Sequence, residues 1–199
     1  MAQTAAHLVD HVIPPVPVRQ WVISVPKRLR CFLADRPNAV AALTRIFIEE
    51  IERLLCTAAG PTRAGDRPSV ARPRLGAVSF LHRFGSALNH HVHLHACATD
   101  GVFVPTGGGP PAFLPARPII QADLATLTEK VRRRVVRWFR MQRLIDADAA
   151  SDMLRWENRR PLRAPPTLGH HLGSQLGWPG TRAEVHTAGR QRRRRAFPI

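Results

Sequence analysis

The amino-acid sequence predicts an α+β fold in which helices pack on an antiparallel β-sheet. Three observations lead to this prediction. Several short runs are rich in β-branched and aromatic residues, two longer segments carry apolar residues at helical spacing, and the turn-forming dipeptide Asp100-Gly101 separates two of the β-rich runs. The length of 199 residues suits one domain, and a hydrophobic fraction of 44% is sufficient for a core.

The chain opens with a lead-in segment at residues 1–17, which is followed by the first predicted strand at 18–25. The strand prediction rests on the run of β-branched and aromatic residues in that segment. Alternate residues of a strand share a face, so Trp21, Ile23 and Val25 are expected to lie together on one side of the sheet.

Two amphipathic helices are predicted at residues 38–56 and 121–145. In each, apolar residues recur every three to four positions, which gathers them into one stripe facing the core. A shorter helix is predicted at 147–157. The segment 60–73 is rich in Pro, Gly and Arg and is interpreted as a loop.

Two further strands are predicted between the long helices, at residues 75–82 and 90–99. The Asp-Gly dipeptide that follows is typical of a tight β-hairpin, and a β-rich run continues beyond it. We therefore expect the strand at 90–99 to pair antiparallel with the run that starts at Gly101. Residues 106–118 are rich in glycine and proline.

The chain is strongly basic, with 30 Lys and Arg against 14 Asp and Glu and a formal net charge of +16. An acidic partner is therefore expected, nucleic acid before an anionic membrane. Residues 159–199 contain nine arginines, one acidic residue and no sustained apolar period. We predict a folded domain at 18–157 and a disordered Arg/Gly/Pro-rich tail at 158–199.

Composition also excludes several classes of protein. The three cysteines are widely spaced and form no Cys-x-x-Cys pair, which excludes a zinc ribbon or a redox motif and suits a reducing compartment. The sequence shows no apolar run long enough to span a membrane and no secretory signal, so a cytoplasmic protein is expected. The chain contains no tyrosine, which excludes a tyrosine nucleophile within it.

The most informative segment is the predicted strand 90–99, where four of the first six residues are histidines. Alternation places His91, His93 and His95 on one face and apolar residues on the other. Residues i and i+2 of a strand lie roughly 6.5–7 Å apart, so two imidazoles can bind one divalent ion and leave positions open for phosphate oxygens. The alternative is a set of surface polar residues. His82 is interpreted as a polar residue at a strand end.

Three segments of the chain resemble the rolling-circle transposases of bacterial insertion sequences, in the two-tyrosine group of the His-hydrophobic-His endonucleases. They are QWVISVPKRLR at 20–30, FLHRFGSALNHHVHLHACATDGVF at 80–103 and EKVRRRVVRWFRMQRLI at 129–145. The resemblance covers about residues 4–157. It implies an antiparallel sheet with helices packed on it, and single-stranded DNA as the partner.

The same resemblance implies a metal site. The paired histidines of the family match His91-Val92-His93 and would bind a divalent ion, for which Mg²⁺ or Mn²⁺ is expected. A third ligand comes from elsewhere in such enzymes, and His95 is a candidate because it faces the same way.

The sequence departs from this family at its nucleophile. In the family, a tyrosine on a helix after the histidines attacks the DNA phosphate and a second tyrosine allows strand transfer, but this chain has neither. A cysteine-rich zinc module that usually precedes the catalytic region is also missing. We hypothesise a truncated, inactive transposase, associated with the bacterial nucleoid through DNA, whose residues 158–199 are translated out of frame. The alternatives are a non-catalytic DNA-binding protein that modulates an intact transposase, and a metal-dependent nuclease that uses activated water.

Basic residues concentrate on the predicted helix 121–145, with a smaller group after the first strand. Such residues neutralise phosphates and give affinity that does not depend on base sequence. A solvated helix face is the alternative. Trp138 and Phe139 fall on the apolar stripe of this helix and are expected in the core rather than stacked on bases. The predicted DNA-binding residues are Lys27, Arg28, Lys130, Arg133, Arg137 and Arg140.

Overall fold

A computed structural model describes residues 7–60, 72–84, 90–106 and 108–155, together with the short segments 173–174 and 185–187. The side chains of Val9, His90 and His91, and those of the two short segments, lie outside this description. The elements in chain order are β1 (Val18–Ser24), α1 (Lys27–Asp35), α2 (Pro37–Ala58), β2 (Ala77–Phe84), β3 (His90–Thr99), β4 (Gly101–Val104), β5 (Ala112–Pro115), α3 (Gln121–Met141), α4 (Ala147–Arg155), β6 (Gly173–Ser174) and β7 (Val185–Thr187). A π-helical turn at Leu8–Val12 precedes β1.

The main sheet has the strand order β2-β3-β1-β7-β6, and every neighbouring pair in it is antiparallel. Strand β3 pairs with β1 on one side and with β2 on the other, so it is an interior strand over most of its length. A second sheet contains only β4 and β5. The predicted combination of an antiparallel sheet with packed helices is confirmed.

The helices cover one face of the main sheet. Trp21, Ile23 and Val25 belong to the same buried cluster as the apolar face of β3, as the alternation predicts. The α2 and α3 helices bury their apolar stripes against these strands, and Phe139 is 1% exposed. Trp138 is partly buried against the same cluster. The face of β3 that carries the histidines points away from the helices, because its residues alternate with the buried ones.

The expected hairpin of β3 and β4 is wrong. At Asp100 the chain leaves the main sheet, and β4 pairs with β5 instead, which lies within the segment rich in glycine and proline. Strand β1 already occupies the place beside β3 as far as Thr99. The corner is held by Asp100, whose carboxylate accepts two hydrogen bonds from the Arg19 guanidinium, at 3.1 and 2.8 Å, and whose N–H donates to Pro17 O at 2.7 Å.

Ion pairs and hydrogen bonds from arginine side chains join the helices to one another. The Arg134 guanidinium donates to Glu50 at 2.7 Å and to Glu49 at 2.5 Å, and so ties α3 to α2. Arg132 donates to the carbonyl oxygens of Met153 and Leu154 at 3.0 and 2.8 Å. These two carbonyls lie at the C-terminal end of α4, where carbonyl groups have no partner within the helix, so a cation there fixes α4 against α3.

The remaining predictions on organisation have mixed outcomes. Helix α1 was not predicted, whereas the long helices and the strand at 90–99 lie close to where the periodicity places them. Most of the predicted loop at 60–73 and most of the predicted disordered tail at 158–199 lie outside the described residues, so these two predictions stay untested. Among the described helices, none has the length and apolar content that a membrane crossing requires.

Candidate functional site

Pairing of β2 with β3 brings three histidines together on the face of the sheet opposite the helices. His82 lies directly across from His93, and Phe80 lies across from His95. The ring centroids of His82 and His95 are 4.3 Å apart, those of His93 and His95 are 4.9 Å apart, and those of His82 and His93 are 5.1 Å apart. The three imidazoles therefore form a triangle at the edge of the sheet, which we name the histidine triad.

The donor set of the histidine triad fits a divalent metal ion. Each imidazole offers one nitrogen, and these three nitrogens lie within 4.8 Å of one another. Three nitrogens that bind one ion at about 2.1 Å in tetrahedral geometry lie about 3.4 Å from one another, so the imidazoles must draw together by up to about 1.4 Å to bind an ion. His82 is exposed and the other two rings are half-buried, so the site opens to solvent along β2. Neutral imidazoles suit zinc better than Mg²⁺ or Mn²⁺, which prefer oxygen ligands, and three imidazoles leave positions for other oxygen ligands.

Strand β1 supplies the neighbouring contacts. The Gln20 side-chain amide lies 2.6 Å from Nδ1 of His95, a hydrogen bond that crosses diagonally between β1 and β3. Cys97 follows His95 on the same face. Burial raises the pKa of the Cys97 thiol, so it keeps its proton and is a weaker metal ligand than the imidazoles.

Two of the three predicted ligands, His93 and His95, lie together in the structure. The side chain of the third, His91, lies outside the described residues, and the ligand role of all three stays a prediction. His82 is not among the predicted ligands, because the strand is expected to end at that residue. In the structure β2 continues to Phe84, which places His82 inside the ladder. The register of β2 against β3 identifies His82 as a candidate ligand. That register cannot be read from the periodicity of either strand alone.

The predicted DNA-binding residues fall into two groups on different parts of the molecule. Lys27 and Arg28 are exposed at the start of α1, three to four residues after Ser24, which pairs with His93. This group therefore lies near the end of the sheet that carries the histidine triad. The second group lies on α3, which packs on the opposite face of the sheet.

The second group lines a cavity of about 630 Å³ between α3 and α4, which we name the arginine groove. Its walls include the apolar side chains of Val136 and Leu154, and Leu154 is 41% exposed. Three exposed arginines, all on α3, also line the arginine groove: Arg133, Arg137 and Arg140. Lys130 is exposed on the same helix but does not line this cavity.

One acidic residue lies in the arginine groove. Glu129 accepts hydrogen bonds from Arg133 at 2.5 Å and from Arg132 at 2.7 Å. Burial alone would raise the pKa of Glu129, but the two guanidinium partners outweigh it and the pKa is lowered. Glu129 is therefore ionised at neutral pH and offsets part of the positive charge on this part of the wall.

Part of this chain is similar to a known protein family. Residues 76–161 match the family model described as "Putative transposase". No curated protein and no solved structure matches the chain. The matched segment contains all of β2, β3, α3 and α4, and thus both the histidine triad and the arginine groove. Over residues 76–161 this chain is therefore similar to a family of transposases.

Proposed function

We propose that this chain is the metal-binding and DNA-binding domain of a rolling-circle transposase of the two-tyrosine group. The observation that carries the proposal is the histidine triad, three converging imidazoles on one sheet face within the segment that matches a transposase family. The proposed substrate is single-stranded DNA, because unpaired nucleotides can lie along an open sheet edge with a phosphate at the triad.

In this proposal the histidine triad holds a divalent ion through His82, His93 and His95. When bound, the ion would polarise a DNA phosphate and offset the charge that develops on it. The protein residues hold and orient that phosphate. The ligand role predicted for His91 stays a prediction, and Lys27 and Arg28 are proposed to contact the neighbouring phosphates.

The arginine groove is proposed as a second DNA-binding surface. Its apolar wall suits the faces of unpaired bases, and Arg137 and Arg140 suit their phosphates. Lys130 and Arg133 contribute further positive charge along α3. Arg132 and Arg134 are not included, because their guanidinium groups hold α4 and α2 in place.

Strand cleavage by a tyrosine is not part of the proposal, because the chain contains none. Two outcomes remain compatible with the histidine triad. The domain binds DNA without cutting it and modulates an intact transposase, or it hydrolyses DNA with a water molecule activated at the ion. The second outcome has specific support, since three imidazoles leave coordination positions open for water.

Metal binding is tested by isothermal titration calorimetry with Mn²⁺ and with Zn²⁺ on the full chain. We expect one ion per chain, and at least tenfold weaker binding for each of His82→Ala, His93→Ala and His95→Ala. His11→Ala is the matched control, since His11 is exposed and lies in the π-helical turn before β1. Equal affinity in all four variants and the original chain would remove the histidine triad as the site.

DNA binding is tested by fluorescence anisotropy with labelled single-stranded and double-stranded oligonucleotides over a range of salt concentrations. Single-stranded DNA should bind more tightly, and the double variant Arg137→Gln/Arg140→Gln should reduce the slope of log K against log salt by about 1.4. Arg45→Gln is the control, because Arg45 is an exposed helical arginine outside the arginine groove. An unchanged slope contradicts the second surface.

Cleavage is followed in the same samples on denaturing gels. Nicking that requires metal and is lost in His93→Ala would establish the nuclease. A covalent protein–DNA adduct would contradict both outcomes, since neither binding without cleavage nor hydrolysis by water forms one.

A further inference from the structure

We infer that Gln20 is the positioning residue of the histidine triad, and that its side-chain amide selects which nitrogen of His95 is available to a metal ion. The inference deepens the proposed metal site and rests on it in part. It starts from the hydrogen bond of 2.6 Å between Nε2 of the Gln20 amide and Nδ1 of His95.

The position of Gln20 in the sheet explains why this side chain reaches the ring. Gln20 pairs with Cys97 and Val22 pairs with His95, so Gln20 and His95 are diagonal neighbours on the same face of two adjacent strands. Diagonal neighbours in an antiparallel pair lie about 7–8 Å apart, a span that a long side chain crosses and a short one does not. Strand β1 lies between β3 and β7, so its backbone is held on both sides.

A neutral imidazole carries one proton, and the partner of one ring nitrogen decides where that proton lies. If the amide presents its N–H group to Nδ1, that nitrogen accepts and the proton is on Nε2, which then cannot bind a metal ion. If the amide presents its oxygen, Nδ1 carries the proton and donates, and Nε2 has its lone pair available. A half-turn of the Gln20 amide interconverts the two arrangements, and its nitrogen and oxygen occupy nearly the same positions.

Metal-binding histidines generally donate their second ring N–H to an oxygen of the protein, which fixes the ring orientation and raises the basicity of the ligating nitrogen. Gln20 lies where this partner is required for His95. Unlike a carboxylate, an amide offers both a donor and an acceptor. The site is therefore predicted to be weaker and more easily emptied than one in which a glutamate occupies the position.

Two variants separate this role from simple packing. Gln20→Met keeps the length of the side chain and removes the hydrogen bond, so we expect Mn²⁺ and Zn²⁺ to bind 10- to 100-fold more weakly. Gln20→Glu supplies an acceptor only, so its binding should equal or exceed that of the original chain. Cys97→Ala is the control, because it alters the residue that pairs with Gln20 without touching the hydrogen bond. If Gln20 only filled space, Gln20→Glu would lose affinity together with Gln20→Met.

A second readout needs no metal. Long-range ¹H–¹⁵N spectra of the metal-free protein report which imidazole nitrogen is protonated. His95 should hold one tautomer in the original chain, the Nδ1–H tautomer in Gln20→Glu, and a mixture in Gln20→Met. Matching His95 spectra in the two variants would overturn the inference. If the original chain binds no metal but shows the expected tautomers, the proposed metal site is wrong and the inferred role of Gln20 is still supported.

Discussion

The corner between the two sheets provides the sharpest test of what holds this fold together. The perturbation is Asp100→Asn, which keeps the shape of the side chain and removes its charge. The Arg19 side chain is 11% exposed and its partner Asp100 is 20% exposed, and the two groups share a bidentate contact. After the substitution the guanidinium stays largely buried and faces a neutral amide that can accept only weakly.

The size of the loss in the free energy of unfolding follows from how far Arg19 and Asp100 are buried. Removing one partner of a fully buried ion pair costs about 3–5 kcal/mol, because the other charge stays out of water without compensation. Both groups here keep some contact with solvent, and asparagine retains one acceptor oxygen. We therefore expect a loss of about 2 kcal/mol in the free energy of unfolding. With a urea m-value of about 2 kcal/mol per molar, the unfolding midpoint falls by about 1 M.

The assay is urea unfolding followed by circular dichroism, with Arg19→Met and the double variant completing a cycle. The cycle should give a coupling energy of about 1.5 kcal/mol or more. Arg45→Gln is the control, since Arg45 is exposed and its contact with Glu49 is 3.7 Å long. A markedly smaller loss is expected there, because exposed ion pairs contribute little. Equal losses in Asp100→Asn and Arg45→Gln, or a coupling energy near zero, would refute the reasoning.

Three further predictions concern other parts of the structure. Gly101→Ala should destabilise the fold by about 1–3 kcal/mol, since its new Cβ would lie 2.2 Å from Leu114 O, and urea unfolding would measure this. Arg132→Met should speed amide hydrogen exchange in α4 more than in α2, because Arg132 holds the end of α4. Hydrogen bonds from the Arg117 side chain and the Ile120 backbone lower the pKa of Asp123 to about 2. Its contribution to stability is complete above its ordinary pKa near 4 and is lost as the pH falls to about 2, so Asp123→Asn should flatten the acid unfolding profile in that window.

Much of the fold could be predicted from periodicity alone. The strand at 90–99 has the predicted bounds, and its apolar face is buried as expected, since Val92, Leu94, Ala96 and Ala98 are all 2% exposed or less. A buried face requires apolar residues at every second position of a strand and about every 3.6 positions of a helix, and these spacings can be read directly from the sequence.

Periodicity does not determine which strands pair with each other or which elements pack together. Asp100-Gly101 has the composition of a tight hairpin, but β1 occupies the edge of β3 where the hairpin would have paired, so tertiary pairing overrode a local turn preference. Helix α1 went unpredicted because only two of its nine residues, Leu29 and Leu33, are buried. His82 was placed at a strand end because its position depends on how β2 aligns with β3.

Alternate residues of β3 face opposite sides of the sheet, so they are expected to change at different rates as the gene evolves. Val92, Leu94, Ala96 and Ala98, at even positions of this strand, face the helices, while the odd positions carry His93 and His95 of the histidine triad. Selection for a stable protein acts on the first set, and selection for activity acts on the second. If the proposed transposase function holds, a copy that no longer transposes but is still translated should first accumulate substitutions at alternate codons of β3. Comparing substitution rates at odd and even positions among close copies would reveal whether the function or only the fold is being maintained.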